Sequence, residues 1–160
     1  MEAVLKRIYA SRRASLSLKI ISHASVLVSV GAFVALLIYS YISEPIVALK
    51  IGVFALVPYI LVSFMRKIIK APRPYETYDF YQAPPKNKVG QSFPSRHVFS
   101  AFVIAVLSYI ASVWVSIALI VLGVLLAVSR VLLGIHFVRD VVAGALIGIL
   151  SGIFGIIMIL

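Results

Sequence analysis

An all-α integral-membrane helical bundle, with about five transmembrane helices and a basic N-terminal helix or arm, is the fold class this sequence predicts. Three observations predict it. The 160-residue chain is 62% hydrophobic and only 12% charged, where soluble domains carry about 25% charge. Its mean hydropathy is +1.12. Its apolar residues also run in uncharged blocks near the roughly 20 residues needed to cross a bilayer. The length suits one domain over residues 1–160.

Residues 1–19 form the basic arm, carrying Lys6, Arg7, Arg12, Arg13 and Lys19, in keeping with a surface-lying helix. The uncharged block Ile20 to Tyr41 is the first span. It is too long for a signal-peptide core, so a retained span is expected. Glu44-Pro45 marks a turn, and Ile46 to Met65 is the second span, with Lys50 near enough to its start to snorkel. Arg66 to Phe93 breaks the pattern with Pro72, Pro74, Pro84, Pro85 and several basic and aromatic residues. At roughly 30 residues it is a long loop, and long ordered loops are often functional. Ser95 to Leu133 divides into two helices of about 19 residues each, with the turn near Ala111 to Val113 and Gly134 as a helix C-cap. Val141 to Leu160 is the last span, where Gly144, Gly148 and Gly152 share one face and let a neighbouring helix approach.

The net charge of +10 would suggest nucleic acid in a soluble protein, but little soluble surface remains to grip a duplex, so no nucleic-acid partner is expected. The charge fits cytoplasmic flanks of membrane spans and a pocket for an anionic substrate. There are no cysteines, which excludes disulfides, thiolate nucleophiles and cysteine metal sites.

Ionisable residues at membrane depth are costly and usually functional. Here they gather at Arg66 to Arg73, at Ser95-Arg96-His97 and at Arg130 to Asp140. Five spans put all three segments on one membrane face, in one polar pocket. Arg66, Arg73, Arg96 and Arg130 are guanidinium forks that match phosphate oxygens. Ser95 reads as an N-cap, leaving the N–H groups of Arg96 and His97 to face an anion. His136 and Asp140, four apart, share a face if the segment is helical, so that the carboxylate orients the imidazole. His97 is placed to act as a general acid. A zinc site would want three or four ligands without such positive charge around them.

Arg66 to Pro74 resembles the first motif of the type 2 phosphatidic acid phosphatase (PAP2) superfamily, a Lys, six residues, then Arg-Pro. Pro94-Ser95-Arg96-His97 resembles its second motif, Pro-Ser-Gly-His. Ser129-Arg130, five residues, His136, three residues and Asp140 fit its third. The resemblance covers a motif-bearing core over residues 66–148. It implies a metal-independent lipid phosphatase without cofactors. In it His136 attacks phosphorus and forms a phosphohistidine, Asp140 orients His136, and His97 protonates the leaving alkoxide. Arg73, Arg130, Ser95 and the backbone near Arg96 hold the phosphate, with Pro74 completing the first motif. Two positions depart from the pattern. The motif lysine falls on Arg66, so a guanidinium replaces the ammonium or Lys67 reaches in. The motif glycine is Arg96, whose side chain either contacts a second phosphate or head group or points to solvent.

His23, alone in an apolar span, reads as a packing or interface residue. Tyr75, Tyr78, Phe80, Tyr81 and Phe93 read as an interfacial aromatic belt, with a substrate-gating lid as the alternative. The substrates implied are phosphatidylglycerophosphate, phosphatidic acid, a polyprenyl phosphate or pyrophosphate, or a lipid A phosphate. The competing readings are a non-catalytic phosphate-lipid binder or channel, an outward-facing phosphatase of undecaprenyl pyrophosphate or lipid A, and a vanadate-dependent haloperoxidase. The membrane expected is a prokaryotic plasma membrane, with the pocket on its cytoplasmic face because basic residues crowd that side.

Overall fold

The computed structural model describes residues 2–78 and 90–160. Seven α-helices are formed among them: α1 Glu2–Ala10, α2 Arg12–Ser43, α3 Pro45–Ile69, α4 Pro74–Thr77, α5 Arg96–Leu107, α6 Val113–Leu132 and α7 Val138–Ile159. A single 3₁₀ turn, Ser108–Ile110, extends α5. Among the described residues, four helical segments are long and apolar enough to cross a membrane, those built on α2, α3, α6 and α7. The fifth apolar helix, α5, is shorter and lies at the centre of the bundle. Val98, Phe99, Ala101 through Ala105 and Leu107 are all buried there, so protein rather than lipid covers its flanks.

The spans begin or end beyond the uncharged windows of the sequence. The basic residues Arg12, Arg13 and Lys19, read as part of an arm, lie inside α2, which Ser11 caps through its side chain and the N–H of Ala14. Arg66, read as the start of the loop, belongs to the last turn of α3, which stops where Lys70 turns left-handed (φ 48°). The turn between α5 and α6 falls at Ala111 and Ser112. Gly134, at φ 62°, ends α6, and Leu133 donates back to Ser129 O. The short basic helix α1 packs on the bundle through buried Leu5, and the Tyr9 hydroxyl donates to Leu133 O at 2.9 Å.

The connections settle which ends lie together. Lys50, at the start of α3, donates to Met158 O at the end of α7. Ser95, at the start of α5, donates to Asp140 O at the start of α7. One end of the bundle therefore collects the end of α3, the starts of α5 and α7, the end of α6 and helix α1.

The α5–α7 contact is the closest in the bundle. A Cβ placed on Gly144 or Gly148 would lie 2.6 Å from Ser95 O or Phe99 O, and one on Gly152 would lie 2.6 Å from Val106 Cβ. The glycines let the two backbones meet almost directly, and van der Waals contact then replaces the side-chain burial that lipid cannot drive.

Candidate active site

Every polar segment singled out in the sequence reaches the same end of the bundle. The Arg130–His136 turn is closed by backbone bonds from Ile135 and His136 to Arg130 O. This turn brings His136 into the protein at 1% exposure, beside fully buried Asp140. His136 and Asp140 pair, but residues 136–140 are not all helical: Phe137 is the N-cap of α7, and His136 precedes the helix. Asp140 is the third residue of α7, and its Oδ2 accepts from the Phe137 N–H at 2.9 Å. That cap bond fixes the carboxylate 3.6 Å from His136 Nδ1.

Ser92 completes this group, and sequence reasoning did not find it. Its hydroxyl donates to Asp140 Oδ2 and lies 3.3 Å from His136 Nδ1. Because that O–H is committed to the carboxylate, the serine oxygen is left to accept from Nδ1–H. This assignment leaves Nε2 unprotonated and facing away from the acid. Burial pushes the His136 imidazole down to about 4, against the pull of Asp140, so the ring is neutral at neutral pH. Ser92 carries no spacing signal in the sequence. Its backbone N–H donates to Ala71 O, and the Gly90 N–H donates to Glu76, so the returning chain is pinned at both points.

The arginines divide by what they touch. Arg66 is the inward residue of its pair and Lys67 is exposed. Arg66 donates to Pro94 O at 2.6 Å and to Gln91 O, bracing the segment that leads into α5. Arg73, 7% exposed, reaches Gln91 O at 3.3 Å and lies over the Tyr75 ring. Buried Pro74 opens the single turn α4 behind it. The charge of Arg66 interacts with those of Arg96 and Arg73, and that of Arg130 with that of Arg73. His97 interacts with Arg130, His136, Arg96 and Arg66. Arg66 Nε, Arg73 Nε, Arg130 Nε and Ser95 Oγ are buried without a hydrogen-bond partner among the described residues. Ser95 is thus an N-cap by backbone only, and its hydroxyl stands free beside the first N–H groups of α5. A cluster of cations and orphaned donors around one carboxylate has the chemistry that suits an anion with several oxygens. Among the described residues no three of His, Asp and Glu converge as metal ligands would.

The other singled-out residues lie apart. His23 is exposed on α2, with Nδ1 2.7 Å from Lys19 O. Tyr78 packs edge-on against Phe137 at 6.3 Å, at the rim of the site. Phe80 and Tyr81 lie outside the described residues.

Comparison with known families decides the lineage. The family model of the PAP2 superfamily matches residues 47–160. The chain belongs to the PAP2 superfamily. The bacitracin transport permease protein BcrC of Bacillus licheniformis is 27% identical over 106 residues, covering 64% of this chain and 52% of that one. The chain thus spans about half the length of that curated relative. The crystal structure of Aquifex aeolicus LpxE superposes with a TM-score of 0.72 at 26% identity, covering 91% of this chain and 87% of that one. A transmembrane PAP2-type phosphatidylglycerolphosphate phosphatase from Bacillus subtilis shares the fold. It superposes with a TM-score of 0.63 at 22% identity over 98% of this chain and 90% of that one. The PAP2 motifs of this chain, centred on Arg73, His97 and His136, all lie at the polar end described above. The protein is a multi-pass integral membrane protein, since its apolar helices match the bundle of these membrane relatives.

Proposed function

We propose that this PAP2 protein is a phosphatase that removes a phosphate from a lipid phosphate monoester or pyrophosphate through a phosphohistidine at His136. One observation carries the reading: buried, orphaned arginine and serine donors gather at the same end of the bundle as a buried histidine whose Nδ1 is committed to a Ser92–Asp140 pair. His136 Nε2 attacks phosphorus. Asp140 and Ser92 hold the ring and stabilise the cation that forms as the bond is made. Arg73, Arg130, Ser95 Oγ and the amides that open α5 take the phosphate oxygens, while Arg66 braces the loop and adds charge. His97 gives its proton to the leaving oxygen and then takes one from the water that hydrolyses the phosphohistidine.

A lipid substrate is supported by an apolar cleft of about 620 Å³ between α2, α3 and α5, lined by Phe33, Leu37, Leu49, Val53 and Leu56 among others. The cleft shares Val30, Tyr59, Ser100 and Ile104 with a cavity that contains His97 and Arg96. A chain lying in the bilayer thus has an apolar path to the polar end. Phosphatidylglycerophosphate, phosphatidic acid and polyprenyl phosphates all have this form. Metal is not needed in this scheme, because the arginines supply the positive charge that Mg²⁺ would bring.

The test is phosphate release by purified protein from a panel of these lipids in excess EDTA. Activity should persist with the chelator. His136→Ala should lose it by several orders of magnitude, as removal of a covalent nucleophile commonly does. A chelator-sensitive enzyme, or an active His136→Ala protein, overturns the mechanism. Binding of these lipids without any turnover would leave a phosphate-lipid binder instead.

Orientation follows from charge. Helix α1 packs at the polar end through Tyr9 and Leu133, so Lys6, Arg7, Arg12 and Arg13 lie on that side, opposite Lys50. The positive-inside rule puts this face in the cytoplasm. A cysteine introduced at exposed Lys67, in a chain with none of its own, should resist a membrane-impermeant maleimide until cells are opened. Labelling in intact cells overturns the orientation.

A further inference from the structure

We infer that the Arg96 guanidinium forms a second anion subsite on the leaving-group side of the reacting phosphate, selecting lipids whose leaving group carries a phosphate of its own. The inference rests on the phosphatase reading and deepens it.

Arg96 is the first residue of α5 and His97 the second. Successive helical residues point roughly 100° apart, so the Arg96 side chain does not follow its own amide into the phosphate site. It turns to α3. Its Nη1 lies 3.4 Å from Ser63 Oγ, and its guanidinium sits 5.8 Å from the centre of the Tyr59 ring. With His97, Ser29, Ser100 and Tyr59 it lines a cavity of about 310 Å³. No carboxylate lies within ion-pair distance of Arg96 among the described residues. The chain has only five acidic residues. Glu2 pairs with Lys6, Glu76 accepts from Gly90, Asp140 is held by Ser92 and Phe137, Glu44 lies at the far end of α2, and Asp79 lies outside the described residues. A part-buried guanidinium beside other cations, with one long contact to a hydroxyl, is suited to an anion that arrives with the ligand.

The geometry also says which part of the ligand that is. His97, the proposed acid, shares the cavity with Arg96, so the leaving oxygen faces this cavity. The group beyond that oxygen passes Arg96 and Tyr59 before reaching the apolar cleft, which shares Tyr59 and Ser100. In a lipid diphosphate, His136 Nε2 bonds to the terminal phosphorus as its bond to the bridging oxygen breaks. That oxygen departs with the lipid monophosphate, which Arg96 holds. In phosphatidylglycerophosphate the departing glycerol oxygen takes the proton of His97, and Arg96 holds the neighbouring phosphodiester. In both cases one water then cleaves the phosphohistidine, and free phosphate leaves.

The experiment compares wild type, Arg96→Gln and Arg96→Lys on three dioleoyl lipids in mixed micelles: phosphatidic acid, diacylglycerol diphosphate and phosphatidylglycerophosphate. Arg96→Gln should lower kcat/KM for at least one doubly phosphorylated lipid about tenfold more than for phosphatidic acid. Arg96→Lys should keep most of the preference. An effect on the diphosphate alone assigns the subsite to a directly bridged phosphate, and an effect on phosphatidylglycerophosphate alone assigns it to a phosphodiester. Equal losses on all three lipids, or no change, overturn the inference. His136→Ala separates this from failure of the phosphatase reading. If wild type and His136→Ala release phosphate alike, that reading fails. The subsite is then judged by binding, where Arg96→Gln must still weaken diacylglycerol diphosphate more than phosphatidic acid.

Discussion

The α5–α7 seam and the α2–α3 cleft are both built from apolar helix faces and glycines, yet they pack in opposite ways. At the seam, Gly144, Gly148 and Gly152 let backbone rest on backbone, and a methyl on any of them would lie 2.6 Å from a neighbouring atom. At the cleft, Gly52 has nothing within 4 Å of where a Cβ would stand. In the proposed mechanism the seam carries the chemistry: Ser95 N donates to Asp140 O across it, which ties the start of α5 to the helix that holds the carboxylate. The cleft carries none and leads from the bilayer to His97 and Arg96. On the proposed reading, the molecule is tight where two catalytic segments must keep register and open where a flexible lipid chain would lie, as preorganised sites require.

A matched pair of single methyl additions tests that contrast and should give the largest effect. Gly144→Ala puts a Cβ against Ser95 O and close to Phe99 N, so the start of α5 must move relative to Asp140. Displacements near 1 Å at a reacting group can cost about 10²-fold in rate, and phosphate release should fall by roughly that factor. Gly52→Ala meets open space and should leave rate unchanged while holding or slightly raising stability, by about 0.5–1 kcal/mol. Equal effects of the two changes on rate and on detergent-solubilised melting would erase the distinction between seam and cleft.

Much of this was legible in the sequence, because a bilayer imposes its thickness on any helix that crosses it. The four long spans follow from uncharged length, and the turn at Ala111 and Ser112 from the need to divide one overlong block. Boundaries were less legible. Arg12 to Lys19 and Arg66 to Ile69 are helical at positions where a polar residue is no penalty, since the interface accepts charge and the helix runs on until the backbone stops it. The central helix α5 escapes the length rule because protein covers it. At the site, His97, His136 and Asp140 carry a spacing that reveals them. Ser92 does not, being 48 positions from its acid. Nor does the sequence say that Arg66 spends its donors on the carbonyls of Gln91 and Pro94, since backbone acceptors leave no mark in residue identity.

The smallest expected effect concerns the cleft itself. Gly52 lines the apolar space together with Ala48, Leu49 and Leu56, and the open space beside it accepts a larger side chain without strain in α3. Gly52→Leu would fill part of the 620 Å³ that the proposed lipid chain occupies, while leaving the polar end untouched. Its cost should depend on the substrate. For dioleoyl phosphatidic acid kcat/KM should drop severalfold, in line with the roughly 1 kcal/mol attached to one or two methylenes of apolar contact. For a dihexanoyl analogue, whose chains are too short to reach far along α2 and α3, the drop should vanish. Chain-independent losses would mean that Gly52 acts through helix packing. No loss with either lipid would mean that the acyl chains lie elsewhere on the bundle, and the cleft would then have no part in bringing the phosphate to His136.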